Sequence, residues 1–319
     1  MVGTKLASNF LGTNLTNLVR NTPLVRLSRF KGLPEGIALC AKLEKFNPGG
    51  SVKDRPVVWM IEEAIRSGHL TPGKTILDAT SGNTGIAYAW VGALLGFPVL
   101  LAVPKSASLE RKKLLEIYGA RVIATDPLEG SDGAIRKARE IYEAAPDKYF
   151  YADQYGNPAN WRAHYESTGP EIWEQTRGEV THFVAGLGTS GSFTGVGRFL
   201  KKKNPDIRLV SVQPDSPLHG LEGLKHMESS IVPGIYDPAL ADENVFVSTE
   251  QAQSMVLRLA REEGVLAGPS SGAAWAAALQ LASRLRENGR KALVVALFPD
   301  GGERYLSERF LENLSGAKT

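Results

Sequence analysis

The chain has a single cysteine, Cys40, and that scarcity excludes an internal disulfide and any cysteine-rich metal site. Cys40 lies in the apolar stretch Ile37-Ala38-Leu39-Cys40-Ala41, where a buried, inert thiol is the expected reading. The five histidines fall in no metal-ligand pairing, and His164, His219 and His226 are expected at the surface or in supporting roles. Nowhere do about 18 apolar residues run together, and the N-terminus lacks a basic segment followed by an apolar core. Neither a membrane span nor a secretory leader is therefore expected, and the compartment expected is the cytoplasm. A dominant charge sign is also missing. The net charge is +3 over 319 residues with the basic residues scattered, which does not indicate nucleic acid. The one basic run, Lys201-Lys202-Lys203, suits the solvated last turn of a helix. No internal repeat appears, so a solenoid is excluded.

What is present is ordinary globular composition, 43% hydrophobic and 22% charged, in a chain long enough for two domains at ~150 residues each. The pattern alternates short apolar runs with amphipathic segments. Extended pieces at Asn21–Leu27 and Ile37–Leu43 precede a helix that starts at Lys53 and runs toward Ser67-Gly68. Then follow strand Thr75–Ala79, helix Gly85–Leu95, strand Pro98–Val103, helix Leu109–Tyr118, strand Arg121–Ala124 and helix Ala134–Ala144. A second series has strand Tyr149–Ala152, a helical stretch Trp161–Gln175, strand His182–Ala185, helix Thr194–Lys202 and strand Ile207–Val212. Gln213–Val245 is rich in proline and glycine and reads as a long loop with short helices. A helix after Ser248-Thr249-Glu250, a break at Gly268–Gly272, an alanine-rich helix and strand Ala292–Leu297 close the chain. This rhythm implies α/β architecture, two doubly wound units with helices on both faces of parallel sheets, and ligands bound beyond the carboxyl ends of the strands.

Four stretches fall where such ligands bind. In Asn47-Pro48-Gly49-Gly50-Ser51-Val52-Lys53-Asp54-Arg55 a glycine turn delivers Lys53 to the start of a helix, with Ser51 and Asp54 at capping-box spacing and Pro56 in the first turns. Thr80-Ser81-Gly82-Asn83-Thr84-Gly85 joins a strand to a helix and offers hydroxyls, an amide and free N–H groups, a neutral cradle for a carboxylate. Gly186-Leu187-Gly188-Thr189-Ser190-Gly191-Ser192 does the same with glycines for close approach and hydroxyls suited to phosphate. It lacks the Gly-Lys-Ser/Thr ending of a nucleotide loop, and the acidic residue of a dinucleotide site is matched only weakly by Asp215. Gly268-Pro269-Ser270-Ser271-Gly272 adds hydroxyls without charge. Each loop alone reads equally as a structural turn. Together, a lysine, a carboxylate cradle, a phosphate cup and a serine pair point to an aldehyde-phosphate cofactor held by lysine, pyridoxal 5′-phosphate.

These stretches, with Asp153-Gln154-Tyr155-Gly156-Asn157-Pro158-Ala159-Asn160 between them, stand in the order and spacing of the cysteine synthase family, and the chain from Asn21 to Leu306 resembles it. The resemblance implies a fold type II pyridoxal-phosphate enzyme, tryptophan synthase β-like, close to the O-acetylserine and O-phosphoserine sulfhydrylases. Residue by residue it implies that Lys53 carries the cofactor and is the catalytic base, and that Asn83 meets the ring hydroxyl. Gly188, Thr189, Ser190, Gly191 and Ser192 would hold the phosphate, with Ser270 at the pyridine nitrogen. Thr80, Ser81, Asn83, Thr84 and Gln154 would hold the substrate carboxylate. It also implies a smaller mobile domain at 47–157, and a larger domain from 1–46 and 158–319. Ser190, Ser192, Pro269 and Gly301 depart from the family's usual residues.

The implied reaction is β-replacement, giving L-cysteine from an activated serine and a sulfur donor. Lys225, in the stretch Pro217–Met227, is a candidate for a phosphate leaving group, and acetylserine and phosphoserine stand level as donors. Cystathionine β-synthase, joining serine to homocysteine, or another β-replacement or elimination enzyme, is the alternative within the fold. The resemblance further implies a homodimer, with a serine acetyltransferase or a sulfur-carrier protein as candidate partners.

Overall fold

The computed structural model describes residues 14–312 apart from Pro34 and Ser81. Its strands are β1 (Leu24–Arg26), β2 (Ile37–Leu43), β3 (Thr75–Ala79), β4 (Val99–Pro104), β5 (Arg121–Thr125), β6 (Tyr149–Tyr151), β7 (His182–Gly186), β8 (Arg208–Pro214), β9 (Glu243–Val247) and β10 (Ala292–Phe298). They form a six-stranded sheet in the order β1-β2-β10-β7-β8-β9 and a four-stranded sheet in the order β5-β4-β3-β6. Only β1 runs antiparallel to its neighbour. The helices are α1 (Asp54–Arg66), α2 (Asn83–Leu95), α3 (Leu109–Ile117), α4 (Gly130–Ala144), α5 (Pro158–Ala163), α6 (Gly169–Gln175), α7 (Gly191–Lys203), α8 (Thr249–Glu263), α9 (Pro269–Glu287) and α10 (Arg309–Glu312).

The burial of these elements follows from their patterns. β2 and β10 are near-continuous apolar runs, buried on both faces as parallel strands between helix layers are. α1 buries Val57, Met60, Ile61 and Ala64 along one stripe and turns Glu62 and Arg66 outward. α2 is apolar all round and packs between α1, α3 and the sheet strands β3 and β4. Each sheet has its own core, Trp275, Phe298 and Val212 belonging to one and Ile76, Tyr88 and Leu101 to the other.

Three local differences from the sequence reading have physical causes. β9 forms across the end of the stretch read as loop, because Val245 and Val247 are buried while Asn244 and Phe246 are exposed, a short period-2 edge. The stretch read as one helix from Trp161 to Gln175 is α5, a π-helical turn at His164–Thr168, and α6. Pro170 has no N–H for the carbonyl four residues back, and the wider turn accommodates it. At α1 the expected capping box is not formed. Ser51 Oγ accepts from Lys53 N at 3.2 Å, while Asp54 turns back to accept from Gly49 N at 2.6 Å and from the Trp90 indole at 3.1 Å. Burial pushes the Asp54 carboxyl up to about 6.

The join between α1 and the larger sheet is ionic. Arg55, fully buried, donates to both oxygens of Glu44 at 2.7 and 2.9 Å and to both oxygens of Glu171 at 2.7 and 2.8 Å. Lys42 on β2 donates to Glu171 at 2.7 Å and to the Thr22 carbonyl at 2.7 Å. Two cations face two carboxylates, so the buried cluster is electrically balanced. Replacing Arg55 with leucine leaves two carboxylates against one lysine, and we expect it to lower the unfolding free energy by ~3–5 kcal/mol in urea titrations. A loss below about 1 kcal/mol, the range of an exposed pair, would show the cluster to be incidental. The Arg55 guanidinium and Lys42 hold the Glu171 carboxyl down from 4.5 to about 2 against its burial. Its contribution is thus complete above pH 4.5 and disappears as pH falls through 2.

Candidate active site

The turns after β2, β3, β7 and β10 all leave the carboxyl ends of parallel strands, and they enclose one pocket between the two sheets. Its floor is the segment ahead of α1. Asn47 Nδ2 donates to the backbone and side chain of Glu44 at 2.9 Å each and to the Ser51 carbonyl at 3.2 Å, and Val52 N donates to Pro299 O at 2.8 Å. Gly50 takes φ +77°, a left-handed value that glycine adopts without strain. Lys53 is thereby fixed two residues before the Arg55 cluster. Its amine makes no ion pair with any carboxylate among the described residues, and burial pushes it down from 10.5 to about 8 despite the opposing pull of Asp300 and Glu44.

One wall is the β3–α2 loop. Thr80 Oγ1 accepts from Gly82 N at 3.0 Å and Gly85 N at 3.1 Å. Thr84 Oγ1 donates to Gln154 Oε1 at 2.8 Å, and Gln154 Nε2 donates to Ala79 O at 2.5 Å. Asp78 sits behind them, accepting from Gln154 N at 3.1 Å and Tyr88 OH at 2.6 Å, its carboxyl pushed up to about 7 by burial. Thr80, Thr84 and Gln154 thus line one wall of the pocket. Ser81 lies outside the described residues. Asn83 is held at both ends, its amide donating to Asp300 at 2.7 Å and its carbonyl accepting from Arg304.

The opposite wall is the β7–α7 loop. Gly188 is pressed against the carbonyl of Gly223, and Gly191 against the Asn160 amide, where a side chain has no room. Ser190 takes φ 68°, in the left-handed region, immediately ahead of α7, which no side chain caps. Its hydroxyl is buried without a hydrogen-bond partner, while Thr189 Oγ1 accepts from Gly191 N at 3.3 Å. Thr189, Ser190, Ser192 and Ser270 line the pocket with Lys53, and Ser270 comes from the first turn of α9. Lys225 also reaches the pocket, but its amine donates to Asp132 at 2.6 Å and lies 5.3 Å above the Tyr155 ring.

An uncapped helix start, an orphaned hydroxyl and a close-packed glycine loop fit a phosphate, and a buried amine with a lowered pKa fits an aldehyde. The donor set therefore suits pyridoxal phosphate. A family model described as "Pyridoxal-phosphate dependent enzyme" matches residues 15–300. The chain belongs to this family. As a pyridoxal-phosphate enzyme it is 54% identical, over 92% of its length and 90% of the relative's, to the cysteine synthase of Aquifex aeolicus. It is 44% identical, over 92% and 95%, to cysteine synthase B of Pseudomonas aeruginosa. The cysteine synthase structure from Entamoeba histolytica superposes with a TM-score of 0.88 at 35% identity, covering 98% of this chain and 94% of that one. The fold is that of the fold type II enzymes, as expected.

Sequence reasoning missed Arg111, Glu222, Asp300 and Arg304. The β3–α2 cradle is not neutral, because the Arg111 guanidinium on α3 rests against Gly82 and pairs with Glu222 across the pocket mouth. The signal was present, since Arg111 shares a face with Leu115 four residues on, and both are buried. Its neighbours Glu110, Lys112 and Lys113 disguised it as part of a solvated face.

The lowered Lys53 pKa has a direct readout. In the cofactor-free protein, amine-selective labelling of Lys53, followed by peptide mass spectrometry, should rise tenfold per pH unit and level off above about 8. A rate still climbing at pH 10 would mean an ordinary solvated lysine.

Proposed function

We propose that this enzyme is a cysteine synthase, making L-cysteine from an activated serine and a sulfur donor by β-replacement, with Lys53 as its catalytic residue. The observation that carries the assignment of roles is Lys53 itself, an amine with no carboxylate partner among the described residues, lining the pocket with both loops. Bound pyridoxal phosphate supplies an electron sink for the charge that develops at the donor's α-carbon. Lys53 Nζ would hold its aldehyde, and the amides of Gly188 and Gly191 with the hydroxyls of Thr189, Ser190 and Ser192 its phosphate. Ser270 would meet the ring nitrogen with a neutral hydroxyl, and Asn83 the ring hydroxyl.

The remaining steps belong to the protein's own groups. Thr80, Ser81, Thr84 and Gln154 orient the donor through its carboxylate, with Gln154 kept in place by Asp78 and Ala79. Lys53, whose amine is about half neutral near pH 8, removes the α-proton and later returns it. The bond from the β-carbon to the leaving group breaks, and the sulfur forms its bond at the same carbon. Residues 47–157 act as a smaller unit that closes over the donor, while 1–46 and 158–319 form the larger unit that holds the cofactor's phosphate.

Both cations at the mouth, Arg111 and Lys225, already face carboxylates. A phosphate leaving group at Lys225 would have to displace Asp132, which Ile231 N also holds at 2.7 Å, whereas an acetyl ester leaves that pair intact, so O-acetylserine is the donor we propose. The family resemblance supports a homodimer and a cytoplasmic location, with a serine acetyltransferase or sulfur-carrier protein as partner. No described helix is long and apolar enough to cross a membrane.

Cysteine formation from sulfide with O-acetylserine, O-phosphoserine and serine tests the reading. We expect kcat/KM at least ~10-fold higher for O-acetylserine than for O-phosphoserine, the worth of one ion pair left intact. Lys53→Ala should lose at least ~10³-fold of kcat with each donor. Preference for O-phosphoserine would overturn the donor, and an active Lys53→Ala protein the mechanism.

A further inference from the structure

Arg111 and Glu222 are not explained by the roles assigned above. The Arg111 side chain is 3% exposed, and its Nε has no hydrogen-bond acceptor among the described residues. The Tyr305 ring supports the guanidinium from 4.7 Å. On its other side the carbon and Nε lie 2.9 Å from where a Cβ on Gly82 would stand, so only glycine there lets the charge approach the loop. Gly82 is also the residue ahead of α2, a 13-residue helix whose first turn meets one side chain, Thr80 Oγ1 accepting from Gly85 N at 3.1 Å. A helix start and a half-satisfied guanidinium therefore meet at the wall of the pocket that Lys53 lines.

Among the described residues, the carboxylate that pairs with Arg111 is Glu222. It comes from the other side of the mouth, on a turn flanked by Gly220 and by Gly223 at φ +87°, and its side chain is 26% exposed. It is thus a partly solvated carboxylate that can withdraw to water, paired with a buried cation that cannot. Lys225 and Asp132 have similar exposures, but Asp132 also accepts from Ile231 N at 2.7 Å, so an exchange there would break a second bond.

We propose that Glu222 is a placeholder, displaced from Arg111 by the α-carboxylate of the amino-acid donor, so that Arg111 is a substrate-binding residue and Glu222 its internal competitor. This rests on the Thr80–Gly85 loop being the carboxylate site. Arg111 supplies the positive charge that the hydroxyls and amides of that loop lack. Glu222 keeps the guanidinium paired before the donor arrives, so the site gains selectivity for carboxylates and gives up part of its affinity.

The test uses the holoenzyme and two ligands with no β-leaving group, L-alanine and L-alaninamide, titrated by the visible absorption of the bound cofactor. Each ligand is compared with itself across the wild type, Arg111→Gln, Arg111→Lys and Glu222→Gln. Arg111→Gln should weaken L-alanine by ~10-fold or more and L-alaninamide by less than ~3-fold, the difference being one charge-assisted contact. Arg111→Lys, which keeps the charge and loses the fork, should fall between. Glu222→Gln should tighten L-alanine by ~3-fold or more, as removal of a competing anion does, and leave L-alaninamide within ~2-fold. Equal weakening of both ligands by Arg111→Gln, or weaker L-alanine binding in Glu222→Gln, would overturn the proposal. If the wild type itself binds both ligands alike, the carboxylate loop is misassigned, and the placeholder falls with it.

Discussion

The chelation of Arg55 between Glu44 and Glu171 is the constraint on which the site depends. A guanidinium buried without partners would cost far more than a domain's whole stability margin, so α1 can dock only where both carboxylates are waiting. Glu44 follows β2 directly, Glu171 lies on α6 behind it, and Lys42 completes the balance. The bidentate geometry fixes the direction of the helix start as well as its position. Lys53, two residues earlier, is therefore set by an ionic clamp that its own chemistry does not use. That separation leaves the amine without an ion-pair partner among the described residues, so burial outweighs the pull of Asp300 and Glu44 and depresses its pKa.

The same economy of charge runs through the pocket. Asp300 accepts from Asn83 and Tyr305, each at 2.7 Å, and Arg304 reaches both Asn83 and the Gly49 carbonyl. The turn after β10 thus ties the start of α2 to the turn ahead of α1, bringing elements of the two sheets together at Asn83. Carboxylates and guanidiniums hold the frame, while the groups left for the cofactor's phosphate are hydroxyls and backbone N–H groups. A helix start can bind a dianion without a fixed cation because its N–H groups are already aligned and cost nothing to reorganise.

The parts of this arrangement legible in the sequence are those with a local signature. Glycine-rich turns between a period-2 run and a period-3.6 run mark Lys53, Asn83, Thr189 and Ser270, since backbone geometry and helix starts are encoded within a few residues. Parallel α/β layering follows from the same rhythm. The ionic partners were not legible, because Glu44, Arg55 and Glu171 are over a hundred residues apart at the extremes and each resembles a surface charge in its own window. Arg111 was hidden among charged neighbours for the same reason, and Asp300 by the short run Pro299-Asp300-Gly301, which reads as a turn. β9 escaped because an edge strand of five residues in a proline- and glycine-rich stretch has little pattern to offer.

The central claim is that one particular lysine, placed by a buried ionic clamp, carries the cofactor. The most direct measurement is borohydride reduction of the holoenzyme, which fixes the cofactor to whichever amine holds it, followed by proteolysis and mass spectrometry of the labelled peptide. The account predicts a pyridoxyl group on Lys53 alone. A label on Lys225 or another lysine, or no label in a protein that has taken up the cofactor, would contradict it.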